Sequence, residues 1–297
     1  MFFIIDIYMP ELPEVEVVKR SLINKAQNSI IKAIKINDGR LRYKIDQNHI
    51  KKIIGLKIEK ITRRSKYLLF YFNKNIVMLV HLGMTGKFFF LDRTNTKYKT
   101  SFYYNIDEKK DKKHDRVIFN LSNNQKLIYN DVRKFGFIKF LNKDLLSKNL
   151  HLKKLGPEPL HKKFTLNYFR NYILGKNRVI KETLMDQTFV SGLGNIYANE
   201  ILFFSKIKPT KKTKDLLDED IKKVIKFTKK ILSKAIKLGG SSIKDFSSGN
   251  GKKGKFQQHF SVYGRKGEKC YNKRCNNKII KIVIASRASF YCSKCQK

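Results

Sequence analysis

Between Ile30 and Leu141 the sequence breaks into eight short runs rich in β-branched and aromatic residues, whereas beyond Pro159 the apolar residues recur at helical spacing. Such a chain has to fold as two kinds of structure in succession. The runs are Ile30 to Ile36, Lys57 to Ile61, Tyr67 to Phe72, Ile76 to Val80, Lys87 to Leu91, Val117 to Leu121, Lys126 to Asn130 and Phe135 to Leu141. Asn, Gly and Asp turns such as Ser122-Asn123-Asn124 separate them, so this half is expected to be mostly antiparallel sheet. The polar, aperiodic stretch from Thr94 to Lys113 reads as a long surface loop between two strands.

One helix is expected ahead of the strands, where Val15, Val18 and Leu22 share a face and Pro13 suits a first turn. Glu14 and Glu16 sit near its positive end. Gly156-Pro157-Glu158-Pro159 marks a linker. Helices are then expected over Thr165 to Leu174, Ile180 to Gln187, Ile196 to Ser205 and Asp218 to Leu238, the last stopped by Gly239-Gly240. Ser241 to Lys255 reads as a flexible Gly, Ser and Lys loop. The expected domains are residues 10–145, 157–240 and 261–297, with no internal repeat.

Lys and Arg number 65 against 24 acidic residues, a formal net charge of +41. A field of that sign suits a polyanion, nucleic acid being the usual one, although the drift of an AT-rich genome towards Lys, Ile and Asn would raise the charge of any protein. The basic residues are spread along the chain, which favours a folded binder over a basic tail. No segment is long and apolar enough to span a bilayer. The apolar leader Met1 to Tyr8 lacks a basic flank and a small-residue cleavage site, so a cytoplasmic protein without membrane partners is expected.

All four cysteines fall in the last 28 residues: Cys270 and Cys275 with four residues between them, then sixteen, then Cys292 and Cys295 with two between. Two close thiol pairs joined by a short strand-rich span suit one structural zinc ion in a β-hairpin ribbon, with no ligand position left open for catalysis. Arg287, on that ribbon, could clamp a phosphate or simply be solvated. In Val190-Ser191-Gly192-Leu193-Gly194-Asn195 the glycines could let backbone N–H groups approach a phosphate, with Asn195 adding its side chain. Equally, Asn195 could be only an N-cap. Met84, Arg133 and Phe135 could wedge into a duplex and fill the space of an extruded nucleotide, while Met84 and Phe135 taken singly read as core. Lys66, just before a strand, reads as a phosphate contact or a solvated lysine.

Met9-Pro10-Glu11-Leu12-Pro13-Glu14-Val15-Glu16 reads like a true beginning. If translation starts at Met9 and that methionine is trimmed, Pro10 presents a free secondary amine. Such an amine attacks a sugar aldehyde carbon to give an iminium, which carries positive charge without a proton and draws electrons from neighbouring bonds.

Together, Pro10-Glu11-Leu12-Pro13-Glu14, Lys66-Tyr67-Leu68, His81-Leu82-Gly83-Met84, Lys113-His114-Asp115, Arg133-Lys134-Phe135-Gly136, Leu155-Gly156-Pro157-Glu158-Pro159, Gly192-Leu193-Gly194-Asn195-Ile196-Tyr197, Val262-Tyr263-Gly264-Arg265-Lys266-Gly267 and the cysteines resemble the bacterial formamidopyrimidine-DNA glycosylases, in order and over nearly the whole chain from Met9. The resemblance implies an α+β chain: an N-terminal antiparallel β-sandwich with flanking helices, a helix-two-turns-helix domain and a C-terminal β-hairpin zinc finger. It implies a monomer that grips damaged double-stranded DNA between the halves. It also implies excision of oxidised purines, notably 8-oxoguanine and formamidopyrimidines, and cutting of the strand by β,δ-elimination. Carried over, Pro10 is the Schiff-base nucleophile, Glu11 the acid that protonates the sugar ring oxygen, Lys66 a proton donor in β-elimination and Arg287 a phosphate holder in δ-elimination. His114, Arg133 and Lys176 match DNA-contact positions, Asn195 a phosphate contact, and Met84, Arg133 and Phe135 the wedge.

Three departures stand out. The first cysteine pair is wider than the family's usual two-residue spacing, Val132 and Lys134 stand where the family usually has proline and arginine, and the leader precedes Pro10. A retained leader would make Pro10 an ordinary amide and leave a DNA-binding protein without lyase chemistry. Leu12 fits the purine enzyme better than the sister endonuclease VIII, which acts on oxidised pyrimidines and has Gly there.

Overall fold

The computed structural model describes residues 9–92, 96–100, 112–241 and 259–297. The leader Met1 to Tyr8, most of the stretch expected as a surface loop, and the loop expected after Ser241 lie outside the described residues. The chain divides into two compact units: one runs to Lys153 and takes in Gly239–Ser241, and the other comprises Lys154–Leu238 and the described residues from His259 onward.

The first unit opens with α1 (Leu12–Ala26), followed by β1 (Ile31–Ile36), the short α2 (Gln47–Lys51), β2 (Ile58–Arg64), β3 (Tyr67–Phe72), β4 (Ile76–His81), β5 (Lys87–Leu91), β6 (Lys97–Lys99), β7 (Asp115–Leu121), β8 (Lys126–Asn130) and β9 (Phe137–Asn142). These strands form two antiparallel sheets, in the orders β1-β7-β8-β5-β6 and β2-β3-β4-β9. Alternation along β3 and β5 explains the layering: Leu68 and Phe70 from one sheet meet Phe88 and Phe90 from the other in a single core. Phe70, Phe88 and Phe90 are fully buried, each contributing about 2 kcal/mol of apolar transfer. Val15, Val18, Leu22 and Ala26 of α1 join the same core at the helical spacing expected from the sequence. Leu69, Val77, Leu79 and Phe137 point the other way into a smaller cluster.

One expectation fails in part. Within the stretch taken as a loop, Lys97–Lys99 is the edge strand β6, paired with β5 through Phe89↔Lys99 and Leu91↔Lys97. Its only apolar residue, Tyr98, pairs with Phe90 and lies under the Lys25 ammonium at 3.6 Å, while the Lys97 ammonium lies 5.8 Å from the Phe89 ring centroid. A three-residue edge strand with two lysines offers no periodicity to read.

The second unit contains α3 (Leu166–Ile173), α4 (Ile180–Met185), α5 (Asn195–Ser205), α6 (Asp218–Lys237) and the hairpin β10 (Ile280–Ile284) and β11 (Arg287–Tyr291). α5 is buried on nearly all sides, and α6 buries one face through Ile221, Val224, Ile231, Leu232 and Ala235. Three buried polar side chains fasten the cysteine segment to the helices. Asn199 Oδ1 accepts the Phe290 amide at 2.7 Å, and Glu200 accepts the amides of Ser261, Val262 and Tyr263 at 2.9 to 3.0 Å. Lys181 Nζ donates to Ala288 O and Ser289 Oγ. The Gly-Pro-Glu-Pro segment is docked rather than loose, since the Gly156 amide bonds Gln187 O and the Ser191 amide bonds Pro157 O. Among the described residues no helix is long and apolar enough to cross a membrane.

Candidate functional site

Pro10 is buried immediately before α1, and Glu11, also buried, is the N-cap residue of that helix. Pro13 sits in the first turn, where a missing N–H costs nothing. The other two acids of the motif are committed to the fold. Glu14 accepts the Glu11 amide at 3.0 Å, and its Oε1 takes both the amide and the hydroxyl of Ser241, at 2.8 and 2.9 Å. Gly240, at φ +79, lets the chain pass close: a Cβ there would lie 3.0 Å from Glu14 Oε1. Glu16 bonds Lys19, Arg20 and Arg63; burial opposes its ionisation, but the hydrogen bonds from Lys19 and Arg63 more than offset this and hold its carboxyl below the usual range.

Arg63 carries the link onward. Its Nε bonds Glu16 at 3.0 Å and its NH1 donates to Ser65 O at 2.8 Å, which fixes the two-residue turn Ser65-Lys66 between β2 and β3. Lys66 is therefore held near α1 through a chain of named bonds. It is also close enough to His81 to disfavour that ring's charge.

His81 ends β4 beside a cavity of about 510 Å³ lined by Met9, Arg42, His81, Gly83, Met84, Arg133, Lys134 and Phe135. Burial first, then the charges of Lys66 and Arg42, lower the His81 pKa to about 3. The neutral ring stacks on Phe137 at 5.6 Å. Met84 is 9% exposed and Phe135 45%, so Met84 meets the core reading and Phe135 does not. The Arg133 guanidinium lies 4.7 Å from the Phe135 ring centroid, a cation–π contact that presents the two side chains together. Lys134, left-handed at φ 59, pairs with Asp38 at 2.7 Å. Asp38 also receives Arg40 and Arg116. His114 closes a short 3-10 turn before β7, its Nδ1 3.2 Å from Arg116 NH2.

In the second unit the Gly192 amide, expected to be open to a phosphate, is already taken by Gln187 Oε1 at 2.8 Å. The Gln187 amide in turn holds Leu193 O. The N-cap of α5 is Gly194 rather than Asn195, which stands at the first helical position, partly exposed, with its carbonyl bonded by Asn199 Nδ2 at 2.6 Å. Lys176 follows α3, its ammonium over the Tyr172 ring and bonded to Tyr172 O. Arg287 is exposed and begins β11 directly after the tight turn Ala285-Ser286, both residues of which have positive φ. That turn type suits a two-residue hairpin, and the fixed hairpin fixes the arginine.

The four cysteine sulfurs lie within 4.8 Å of one another. Cys270 and Cys295 are 3.8 Å apart and Cys275 and Cys292 3.6 Å, too far for disulfides but near the edge of about 3.8 Å expected for a tetrahedron with Zn–S bonds of about 2.3 Å. Burial pushes the Cys270 thiol up to about 12 and raises Cys295, while the Asn277 amide lowers Cys275. A cation at the centre is what would make such a set ionise together. The wide first spacing is absorbed locally: the Cys275 amide bonds Asn272 O, and Asn272 Nδ2 lies 3.5 Å from the Cys295 sulfur. Cys270, Cys275, Cys292 and Cys295 are thus placed to hold a metal ion, and the donor set and spacing suit zinc.

Arg42 and the Glu16–Arg63 and Glu14–Ser241 pairs went unnoticed in the sequence. The two acids lay in the opening motif and were legible as important, but their partners are distant in sequence and carry no motif of their own. His81 was visible only as part of His81-Leu82-Gly83-Met84, without a role.

Comparison with known proteins places this geometry. Residues 9–138 match the family described as formamidopyrimidine-DNA glycosylase N-terminal domain, and residues 155–247 the formamidopyrimidine-DNA glycosylase H2TH domain. The formamidopyrimidine-DNA glycosylase of Rickettsia bellii (strain OSU 85-389) is 44% identical over 289 residues, 97% of this chain and 100% of that protein. That of Rickettsia africae (strain ESF-5) is 41% identical over 97% of this chain and 99% of its own. The Lactococcus lactis Fpg, solved in complex with DNA containing an abasic site, is similar in structure with a TM-score of 0.82 and 36% identity, covering 97% of this chain and 99% of that one. With both halves matched in order, this chain belongs to the formamidopyrimidine-DNA glycosylase family.

Proposed function

We propose that this DNA glycosylase excises oxidised purines, 8-oxoguanine and formamidopyrimidines, from duplex DNA and then cuts the strand at the abasic site. The observation that carries the reading is Pro10 buried at the positive end of α1 beside the buried Glu11, with Met9 lining the cavity that also borders Met84, Arg133 and Phe135. Solved relatives from Lactococcus lactis bound to abasic-site and Fapy-dG DNA lend the substrate class support.

This chemistry requires Pro10 to carry a free amine. A proline amine near the reference pKa of ~8 is only ~10 to 20% neutral at pH 7, and the helix dipole favours the neutral form further. Its nitrogen attacks the sugar C1′ and the base leaves with the glycosidic electron pair, taking up the proton that the amine gives up; Glu11 then protonates the ring oxygen as the C1′–O4′ bond breaks and the nitrogen lone pair closes the iminium. The iminium then acidifies the C2′ proton, whose loss expels the 3′ phosphate, with Lys66 in proton transfer. A second elimination expels the 5′ phosphate, held by Arg287. Asn195, Lys176, His114 and Arg133 hold the DNA backbone or bases, and Met84, Arg133 and Phe135 occupy the space of the extruded nucleotide. Zinc on the four cysteines shapes the ribbon, since four sulfur ligands leave no position for substrate.

Borohydride reduction of protein beginning at Pro10 with a duplex holding 8-oxoguanine opposite cytosine should yield a covalent protein–DNA adduct. Pro10→Gly should cripple strand cutting and leave binding largely intact. No adduct with either 8-oxoguanine or abasic DNA would sink the lyase reading, and preferential cleavage of thymine glycol would move the substrate class to oxidised pyrimidines.

A further inference from the structure

The segments that carry Met84 and Arg133–Phe135 are joined by a side-chain relay between the buried Asp131 and the partly buried Thr85. Thr85 Oγ1 donates to Asp131 Oδ1 at 2.5 Å and accepts the Arg133 amide at 2.9 Å. The other carboxylate oxygen, Asp131 Oδ2, accepts the Gly136 amide at 2.9 Å and lies 3.5 Å from the Tyr129 hydroxyl. Asp131 has no exposed surface, and its backbone is pinned as well, its carbonyl bonded by Arg116 Nε and its amide by His114 O. Where the segments touch, both residues are glycine: a Cβ on Gly83 would meet the Gly136 nitrogen at 2.4 Å, and one on Gly136 would meet the Tyr129 hydroxyl at 1.9 Å.

We propose that Asp131 and Thr85 are a positioning couple that locks Met84, Arg133 and Phe135 into one rigid reading head, so that discrimination of a damaged base depends on their bond. The inference rests on the wedge role proposed above for those three side chains. Its physical ground is mechanical. Phe135 and Arg133 stand exposed on a short turn that also includes the left-handed Lys134 and the 40% exposed Val132. Unstacking a base costs a few kcal/mol, and a side chain inserted there must not yield under that load. The hydroxyl of Thr85 supplies the resistance because it satisfies a carboxylate on one side and the Arg133 amide on the other. Asp131 and Thr85 touch no substrate in this role; they act through the residues they hold.

Thr85→Val removes both bonds at nearly constant volume, and Thr85→Ser keeps both. With protein beginning at Pro10, Thr85→Val should slow single-turnover release of 8-oxoguanine about 10- to 100-fold. Borohydride trapping on a duplex with a pre-formed abasic site should stay within about twofold, because no base has to be drawn from the stack. Thr85→Ser should restore base release to within about threefold of wild type. Independently of activity, the Arg133 amide should exchange its hydrogen at least about tenfold faster in Thr85→Val than in wild type. Equal losses on both substrates, no loss of base release, or unchanged exchange at Arg133 would each overturn the couple. If Thr85→Val proves unfolded, Thr85→Ala carries the same comparison. A wild-type protein that traps no abasic DNA would overturn the functional reading itself, while the exchange measurement would still decide whether the couple holds the turn.

Discussion

The backbone amide of Gly83 donates to His81 Nδ1 at 3.0 Å, which places the ring proton on Nε2 and leaves a neutral imidazole at the end of β4. Burial, followed by Lys66 and Arg42, lowers the pKa to about 3 from 6.5. The unfolded chain therefore binds this proton while the folded chain does not. His81 contributes stability in full above about pH 6.5, and that contribution falls by about 1.4 kcal/mol per pH unit as the pH drops towards 3. His81→Asn keeps an acceptor near the Gly83 amide and removes the titration. Denaturant unfolding measured from neutral to acid pH should give this variant a slope shallower by about one proton. Identical slopes would mean that the ring titrates normally.

The cysteine cluster predicts one zinc per chain by metal analysis. Cys275→Ser should lose it, since three sulfurs and a hydroxyl replace a closed tetrahedron. Stripping the metal with a chelator should open the ribbon from Cys270 onward to trypsin before the helices, because the helices keep their own core while the turn around Asn272 is held through sulfur. Protein that carries no zinc, or that resists trypsin equally after chelation, would contradict this.

The strands and helices were legible because hydrophobic periodicity and turn residues are local; the runs at Tyr67–Phe72, Lys87–Leu91 and Lys126–Asn130 coincide with β3, β5 and β8. The edge strand Lys97–Lys99 was not, because only Tyr98 distinguishes it from a polar loop. In the candidate site the cysteines announce themselves by residue type and spacing and Pro10 by the motif it heads, whereas Glu11 enters through the resemblance. Glu16–Arg63 and Thr85–Asp131 join residues 47 and 46 positions apart, and each partner taken alone is an ordinary polar residue. Gln187 is a similar case: only the folded turn reveals that it consumes the Gly192 amide that the glycine motif advertised.

Arg63 gives a third prediction. Glu16 and Arg63 are 10% and 11% exposed at their side chains, so removing the guanidinium leaves a largely buried carboxylate with only Lys19 and Arg20. Arg63→Met should cost about 2 kcal/mol in urea unfolding, below the usual range for a fully buried pair because those two partners remain. It also removes the Arg63 bond to Ser65 O, so the turn that presents Lys66 should loosen and β-elimination should slow more than base release. A variant whose two steps slow in equal proportion would indicate that the turn is not what Arg63 holds.

Arg287 gives the last. The left-handed pair Ala285-Ser286 closes a hairpin in which Ile284 faces Arg287, so an exposed guanidinium is carried on a backbone that cannot swing. If it neutralises one phosphate, Arg287→Ala should reduce the slope of log affinity against log salt by about 0.9 on B-DNA. Arg287→Lys should keep that slope, because the charge remains, yet lose the fork that grips two phosphate oxygens at once. The two variants should therefore part company: equal salt dependence for Arg287→Lys and wild type, but slower expulsion of the second phosphate for both substitutions, followed as accumulation of the β-elimination product. A slope unchanged in Arg287→Ala would mean that this arginine touches no phosphate.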